Sequence, residues 1–150
     1  MVIVREKLAS NAAQAAGRLR LAFEHRSRSR QRAKLDTGEE IGMVMPRGEV
    51  LHGGDLVLAS DGRVFEVVSA PERLLHIEAP SLARIAYHLG NRHVPVQLGD
   101  GYLRIAEDHV LEAMLRRLGA SLTHVEAPFE PEGGAYNTKT GTDHVFRDDC

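Results

Sequence analysis

The chain has 150 residues, 43% hydrophobic and 27% charged, with a net charge of -2 and a single cysteine, Cys150. That length suits one ordinary domain or two small ones, and that balance suits a globular chain. The net charge excludes a global attraction to nucleic acid, and the lone cysteine excludes an intramolecular disulfide.

No apolar run approaches the roughly 20 residues of a membrane helix. The N-terminal MVIVREKLAS carries a short apolar patch without a cationic lead-in or a long apolar core. No secretory signal is therefore expected, and the cytoplasm is the expected location. The segment NAAQAAG (11–17) reads as a loop or a helical turn. RLRLAFEH (18–25) then alternates polar and apolar, with Leu19, Leu21 and Phe23 on one face, the pattern of a half-buried strand. IGMVMPRG, DLVLAS and VFEVVSA are further short apolar runs, separated by Thr37-Gly38, Gly53-Gly54-Asp55 and Asp61-Gly62, all turn formers. Residues 1–72 are thus expected to form a small all-β domain.

After Pro71 the rhythm changes. LLHIEA (74–79) predicts a strand. Ser81 can cap a helix on which Leu82, Ile85, Ala86 and Leu89 share a face, and Gly90 is expected to close it. VPVQLG and GYLRIA predict two strands joined at Asp100-Gly101, a strong hairpin signal. Glu107 and Asp108 favour the start of a second helix, with Val110, Leu111, Met114, Leu115 and Leu118 as its apolar stripe and Gly119 as its end. SLTHVEAPF predicts the last strand. The order β-α-β-β-α-β over residues 73–136 is that of a ferredoxin-like fold, so the expected class is α+β in two domains. Residues 137–150 show no period, only Gly, Thr and charge, and are expected to form a flexible tail.

Five cations, Arg26, Arg28, Arg30, Arg32 and Lys34, recur at every second position. On a strand they would line one face, which fits either a solvated surface or an anionic partner such as a phosphate backbone. The absence of aromatics from this run argues against single-stranded nucleic acid. Glu107, Asp108, His109 and Glu112 combine acids with a metal-ligand type, although early acids also simply favour a helix N-terminus. His76, His88 and His124 fall within regular elements and read as structural. In the tail, His144 and Cys150 are ligand types that suit Ni²⁺, Zn²⁺ or Cu²⁺. His93 stands in a polar corner, GNRHVP, with no neighbour that completes a site: it is a surface residue, or its partner comes from elsewhere in the fold or from another chain. The phosphate-loop, dinucleotide-fingerprint, C-x-x-C and H-E-x-x-H patterns are absent, which leaves no obvious engine for turnover. A metal-dependent hydrolase built on His93, His109 and Asp108 remains an alternative at this level, as does a nucleic-acid-binding module built on Arg26 to Lys34.

GNRHVP (90–95), DHVLEAMLRRLG (108–119) and APFEPEGGAY (127–136) resemble the urease accessory metallochaperone family, UreE-type proteins that deliver nickel for urease assembly. LAFEHRSRSRQRAKL, MPRGEVLHGGDLV and FEVVSAPE are similar to that family's first domain, so the resemblance spans roughly residues 18–136 in order. It implies a non-enzymatic nickel carrier with an N-terminal β domain of partner- or peptide-binding type and a C-terminal ferredoxin-like metal-binding domain. Two chains would form a homodimer through the second domain. His93 would meet its twofold mate there, so that one ligand per chain becomes two per metal. His144 matches a tail ligand, Cys150 adds a thiolate without a counterpart, and His109 falls where some relatives carry an additional histidine. The cargo implied is Ni²⁺, with Zn²⁺ or Cu²⁺ able to take its place. The implied partners are a second copy of the chain, a metal-bridged tetramer, the urease accessory GTPase and the urease apoprotein complex, with neither nucleic acid nor membrane.

Overall fold

The computed structural model describes residues 1–9 and 14–133. Met1–Ala70 belong to one compact unit and Pro71–Gly133 to another.

The first unit runs β1 (Ile3–Lys7), β2 (Gly17–Leu21), α1 (Phe23–Arg26), β3 (Arg30–Lys34), β4 (Glu40–Val44), β5 (Leu56–Ala59) and β6 (Val64–Ser69). The six strands form one sheet in the order β2-β6-β5-β1-β4-β3. Val4, Leu19, Ile41, Met43, Val57, Phe65 and Val67 make its core, each contributed by a strand that turns its apolar residues to one side. Gly38 and Gly62 take positive φ angles at the predicted turns, where a side chain would be strained. The strand β1 has no counterpart among the predicted elements, because its alternation is short and Val4 is its one fully buried residue.

The predicted strand RLRLAFEH stops at Leu21, and Phe23 opens a single helical turn instead. The cause lies with Arg26, which is 1% exposed. Its Nε donates to the Leu21 carbonyl at 3.1 Å and its Nη1 to the Leu51 carbonyl at 3.0 Å. A straight strand would carry this guanidinium along a solvent face; the turn directs it inward, where it satisfies two buried carbonyls.

The second unit runs β7 (Pro71–Glu78), α2 (Leu82–Asn91), β8 (Gln97–Leu98), β9 (Leu103–Ala106), α3 (His109–Arg117) and β10 (Ser121–Pro128). Its sheet order is β10-β7-β9-β8, with every neighbouring pair antiparallel. Both helices start as their sequences predict: Ser81 Oγ accepts from Arg84 N at 3.3 Å, and Asp108 Oδ1 from Leu111 N at 2.9 Å. Leu75, Ile77, Ile85, Leu89, Leu103, Ile105 and Leu115 form the core between sheet and helices. The stripe on α3 is narrower than predicted, since Val110, at its margin in the first turn, is 71% exposed.

The register fixes what meets at each end of this unit. The start of β7 pairs with the end of β9 (Leu74 with Ala106) and with the end of β10 (Pro71 with Pro128), and β8 begins beside the end of β9 (Gln97 with Arg104). The C-terminus of α2, which leads into β8, and the N-terminus of α3, which follows β9, therefore lie at the same end.

Candidate metal site

Gly90 does not close α2. The helix continues to Asn91, Arg92 caps it, and His93 takes the left-handed conformation with φ 60. His93 N donates to the Gly90 carbonyl at 3.0 Å and Val94 N to the Leu89 carbonyl at 3.1 Å. These are the two bonds of a Schellman ending, in which the residue just past the cap must be left-handed. The unit contains its own control. Gly119 N bonds Arg116 O and Ala120 N bonds Leu115 O, both at 3.0 Å, at the end of α3, and the left-handed residue there is Gly119 with φ 88. Among the described residues His93 alone adopts positive φ without being glycine. For an L-residue this costs roughly 1–2 kcal/mol, and such outliers concentrate where function demands them. The strained backbone folds Val94 back onto the core and leaves the His93 imidazole exposed, with no hydrogen-bond partner among the described residues.

The other histidines of the unit are distinguished by their contacts. His76 Nδ1 lies 3.1 Å from Arg104 Nε, which can only donate, so Nδ1 is the acceptor and Nε2 carries the proton toward Glu78 at 3.1 Å. The ring also stacks on Tyr102 at 4.6 Å. His124 is the opposite case. Its Nδ1 faces Glu107 Oε2 at 2.5 Å and its Nε2 faces Glu112 Oε2 at 3.4 Å, so both nitrogens meet carboxylates. The hydrogen bonds to Glu107 and then to Glu112 raise its pKa; Glu107 is lowered by His124 and then Arg73, and Glu112 by Arg116 and then His124. Both ring nitrogens are thus engaged by carboxylates. His88 sits edge-on to Tyr87 at 5.4 Å and is half-buried. His109, at the start of α3, is exposed and has no hydrogen-bond partner among the described residues.

The predicted acid cluster is thereby divided. Asp108 caps α3, and Glu107 and Glu112 turn to His124 rather than toward His109. Among the described residues no three His, Cys, Asp or Glu side chains gather as a metal site. His144 and Cys150 lie outside the described residues. The cation ladder is likewise shorter than predicted. Arg26 is buried and Arg28 pairs with Glu24 at 2.5 Å, which leaves Arg30, Arg32 and Lys34 exposed on the edge strand β3.

One feature had no counterpart in the predicted site. After β10 the chain returns to the opposite edge of the sheet: Glu130 N donates to Gln97 Oε1 at 2.9 Å and Glu132 N to the Val96 carbonyl at 2.7 Å. Phe129 is buried at 2% exposure. Pro128 and Pro131 were the available signal, since each holds the residue before it extended.

Both units match one family. The C-terminal domain of the UreE urease accessory protein matches residues 72–149, and its N-terminal domain matches residues 3–70. Three proteins carrying the name Urease accessory protein UreE show the degree of likeness. That of Burkholderia vietnamiensis is 49% identical over 148 residues, covering 95% of this chain and 74% of its own. That of Pseudomonas fluorescens is 49% identical over 140 residues, covering 91% and 84%. That of Azotobacter vinelandii is 54% identical over 122 residues, covering 79% and 74%. These matches define a class of accessory protein rather than an enzyme. The chain belongs to the UreE family of urease accessory proteins.

Proposed function

We propose that this chain is a nickel metallochaperone for urease assembly, acting in the cytoplasm as a homodimer whose second, ferredoxin-like unit carries the metal. The observation that carries the reading is His93: an exposed, unpartnered imidazole held in a left-handed backbone that glycine would occupy more easily. One imidazole holds a divalent ion weakly. Two, related by a twofold axis, supply two ligands from one residue type, and Tyr87 and Val110, 69% and 71% exposed, are apolar surface that a second copy would cover. His109 begins α3 at the end of the unit where α2 delivers His93, which fits it for a secondary ligand. His144 and Cys150 complete the proposed set. His144 is eleven positions beyond Gly133, a contour of at most roughly 38 Å.

A delivery site built from few fixed ligands and a tail passes its ion on by ligand exchange. Imidazole must be neutral to bind, so acid weakens the complex. Cu²⁺ would bind such donors more tightly than Ni²⁺, and Zn²⁺ is an accessible substitute, so selectivity comes from supply and from docking to the urease accessory GTPase and the urease apoprotein complex. A metal-bridged tetramer follows if an exposed interfacial ion recruits a second dimer. The alternative of a nucleic-acid-binding module is left with three cations on β3 instead of five.

The deciding experiment is a Ni²⁺ titration by calorimetry with mass-resolved stoichiometry, on the wild type and on His93→Ala. About one ion per dimer, bound tightly and lost in His93→Ala, is the expected result. Equal binding by the variant refutes the role of His93. Salt-sensitive, metal-independent RNA or DNA binding would favour the alternative.

A further inference from the structure

We infer that the open edge of β3 is a docking strand for an extended acidic segment of a partner protein, which adds to the sheet as a further strand with Asp or Glu at every second position. The register with β4 decides which groups of β3 are available. The antiparallel pairing runs from Arg30 with Val44 to Lys34 with Glu40. At its two ends Met45 N donates to the Ser29 carbonyl at 2.7 Å and Leu35 N to the Glu39 carbonyl at 2.9 Å. Hydrogen-bonded pairs alternate along such a ladder, so Ser29, Gln31, Ala33 and Leu35 turn their amides and carbonyls to β4. Those of Arg30, Arg32 and Lys34 point the other way, out of the sheet, because β3 ends the strand order. Among the described residues nothing bonds them. The edge closes only beyond them, where Asp36 N donates to the Arg18 carbonyl of β2 at 2.9 Å.

Three rungs are thus open, and each carries a cation. Ala33 packs against the core of the unit, so the alternate side chains of Arg30, Arg32 and Lys34 stand exposed on the outer face. Other cations of this unit find carboxylates: Arg28 pairs with Glu24 at 2.5 Å, Arg18 lies 3.7 Å from Glu66, and Arg63 meets Glu39 and Asp61, each at 2.7 Å. The three on β3 have no ion pair among the described residues, although Glu40 stands opposite Lys34. Charge on an edge also keeps two copies of it from pairing, because like charges would stand directly opposite. For an acidic strand the same arrangement becomes attractive. Its alternate carboxylates repeat at about 6.7 Å, the spacing of the cations, while three amides and three carbonyls of β3 supply the ladder. A nucleic acid can use the charges but not the ladder, and the run has no aromatics to stack its bases.

The test uses the full chain without nickel, so its outcome is separate from that of the carrier reading. The probe is a seven-residue peptide with Glu at alternate positions and Thr or Val between them; the control has the same composition with its glutamates consecutive. Saturation with the alternating peptide should slow hydrogen exchange, followed by NMR, at the amides of Arg30, Arg32 and Lys34. Gln31 and Ala33, already bonded to β4, should not change. The control peptide should bind about threefold more weakly, and replacing all three cations by Glu should cost the alternating peptide about tenfold or more. Arg32→Pro removes one outward amide and spares the bonds to β4, so it should bind about fivefold more weakly than Arg32→Ala. That comparison decides the matter if the triple reversal fails to fold. Binding without protection of the three amides, equal binding of the two peptides, or no binding of either overturns the inference. Tighter binding of an oligothymidylate at the same ionic strength would overturn it as well, in favour of a nucleic-acid surface.

Discussion

Replacing His93 by glycine should stabilise the metal-free protein while abolishing tight nickel binding. The left-handed conformation costs an L-residue roughly 1–2 kcal/mol, and glycine escapes that cost. Glycine also gains freedom in the unfolded chain, which returns roughly 0.4–1 kcal/mol. The His93 side chain has no hydrogen-bond partner among the described residues, so its removal subtracts little else. The net gain is about 0.5–1 kcal/mol, a rise in thermal midpoint of about 1–4 °C for a chain of this length. Gly119→Ala, at the matching position after α3, should move the midpoint the other way by a similar amount. Differential scanning calorimetry on the metal-free proteins reads both. A lower midpoint for His93→Gly would refute the reasoning, because it would mean that the backbone at His93 is stabilised by contacts rather than tolerated for its side chain.

The His124 clamp predicts a pH signature. Its folded pKa is raised above 6.5, so its contribution is complete below that value and disappears as pH climbs through the raised one; Glu107 and Glu112, lowered from 4.5, hold their contribution above that value and lose it as pH falls through the lowered ones. Urea midpoints of wild type and His124→Gln should therefore converge on the alkaline side, and parallel curves would dismiss the clamp. Arg26→Met should cost about 1–3 kcal/mol in denaturant unfolding by leaving the Leu51 carbonyl unpaired and the Leu21 carbonyl with Ala70 N alone, and a loss under about 0.5 kcal/mol would show that water replaces the guanidinium. The triple variant Arg30→Ala, Arg32→Ala, Lys34→Ala should change stability by less than about 0.5 kcal/mol per site and leave nickel stoichiometry intact. Lost stoichiometry would tie β3 to the metal.

Much of the second unit was legible locally. Ser81 and Asp108 announced their helices because a cap is a contact between near neighbours, and Asp100-Gly101 announced its hairpin for the same reason. The family showed in short motifs, GNRH and PFEPE, that survive without knowledge of the fold. The α1 turn was hidden, since alternation through Phe23 and Arg26 fits a strand until one asks where the guanidinium finds acceptors.

What the sequence by itself determined was the succession of elements in the second unit, the N-caps of its two helices, the turns and the family, because each depends on residues within a few positions of one another. The tertiary structure alone decided which charged and imidazole groups were free to act. Arg26 is withdrawn by a carbonyl 25 residues away, His124 by a carboxylate 17 away, and the segment after β10 is tied to Gln97 across 33 residues. His93 is left available because the Schellman ending of α2, with Val94 packed on the core, holds its backbone left-handed while no distant group reaches its exposed ring. Long-range partners consume most polar groups of a folded chain, and no local pattern records which ones they spare.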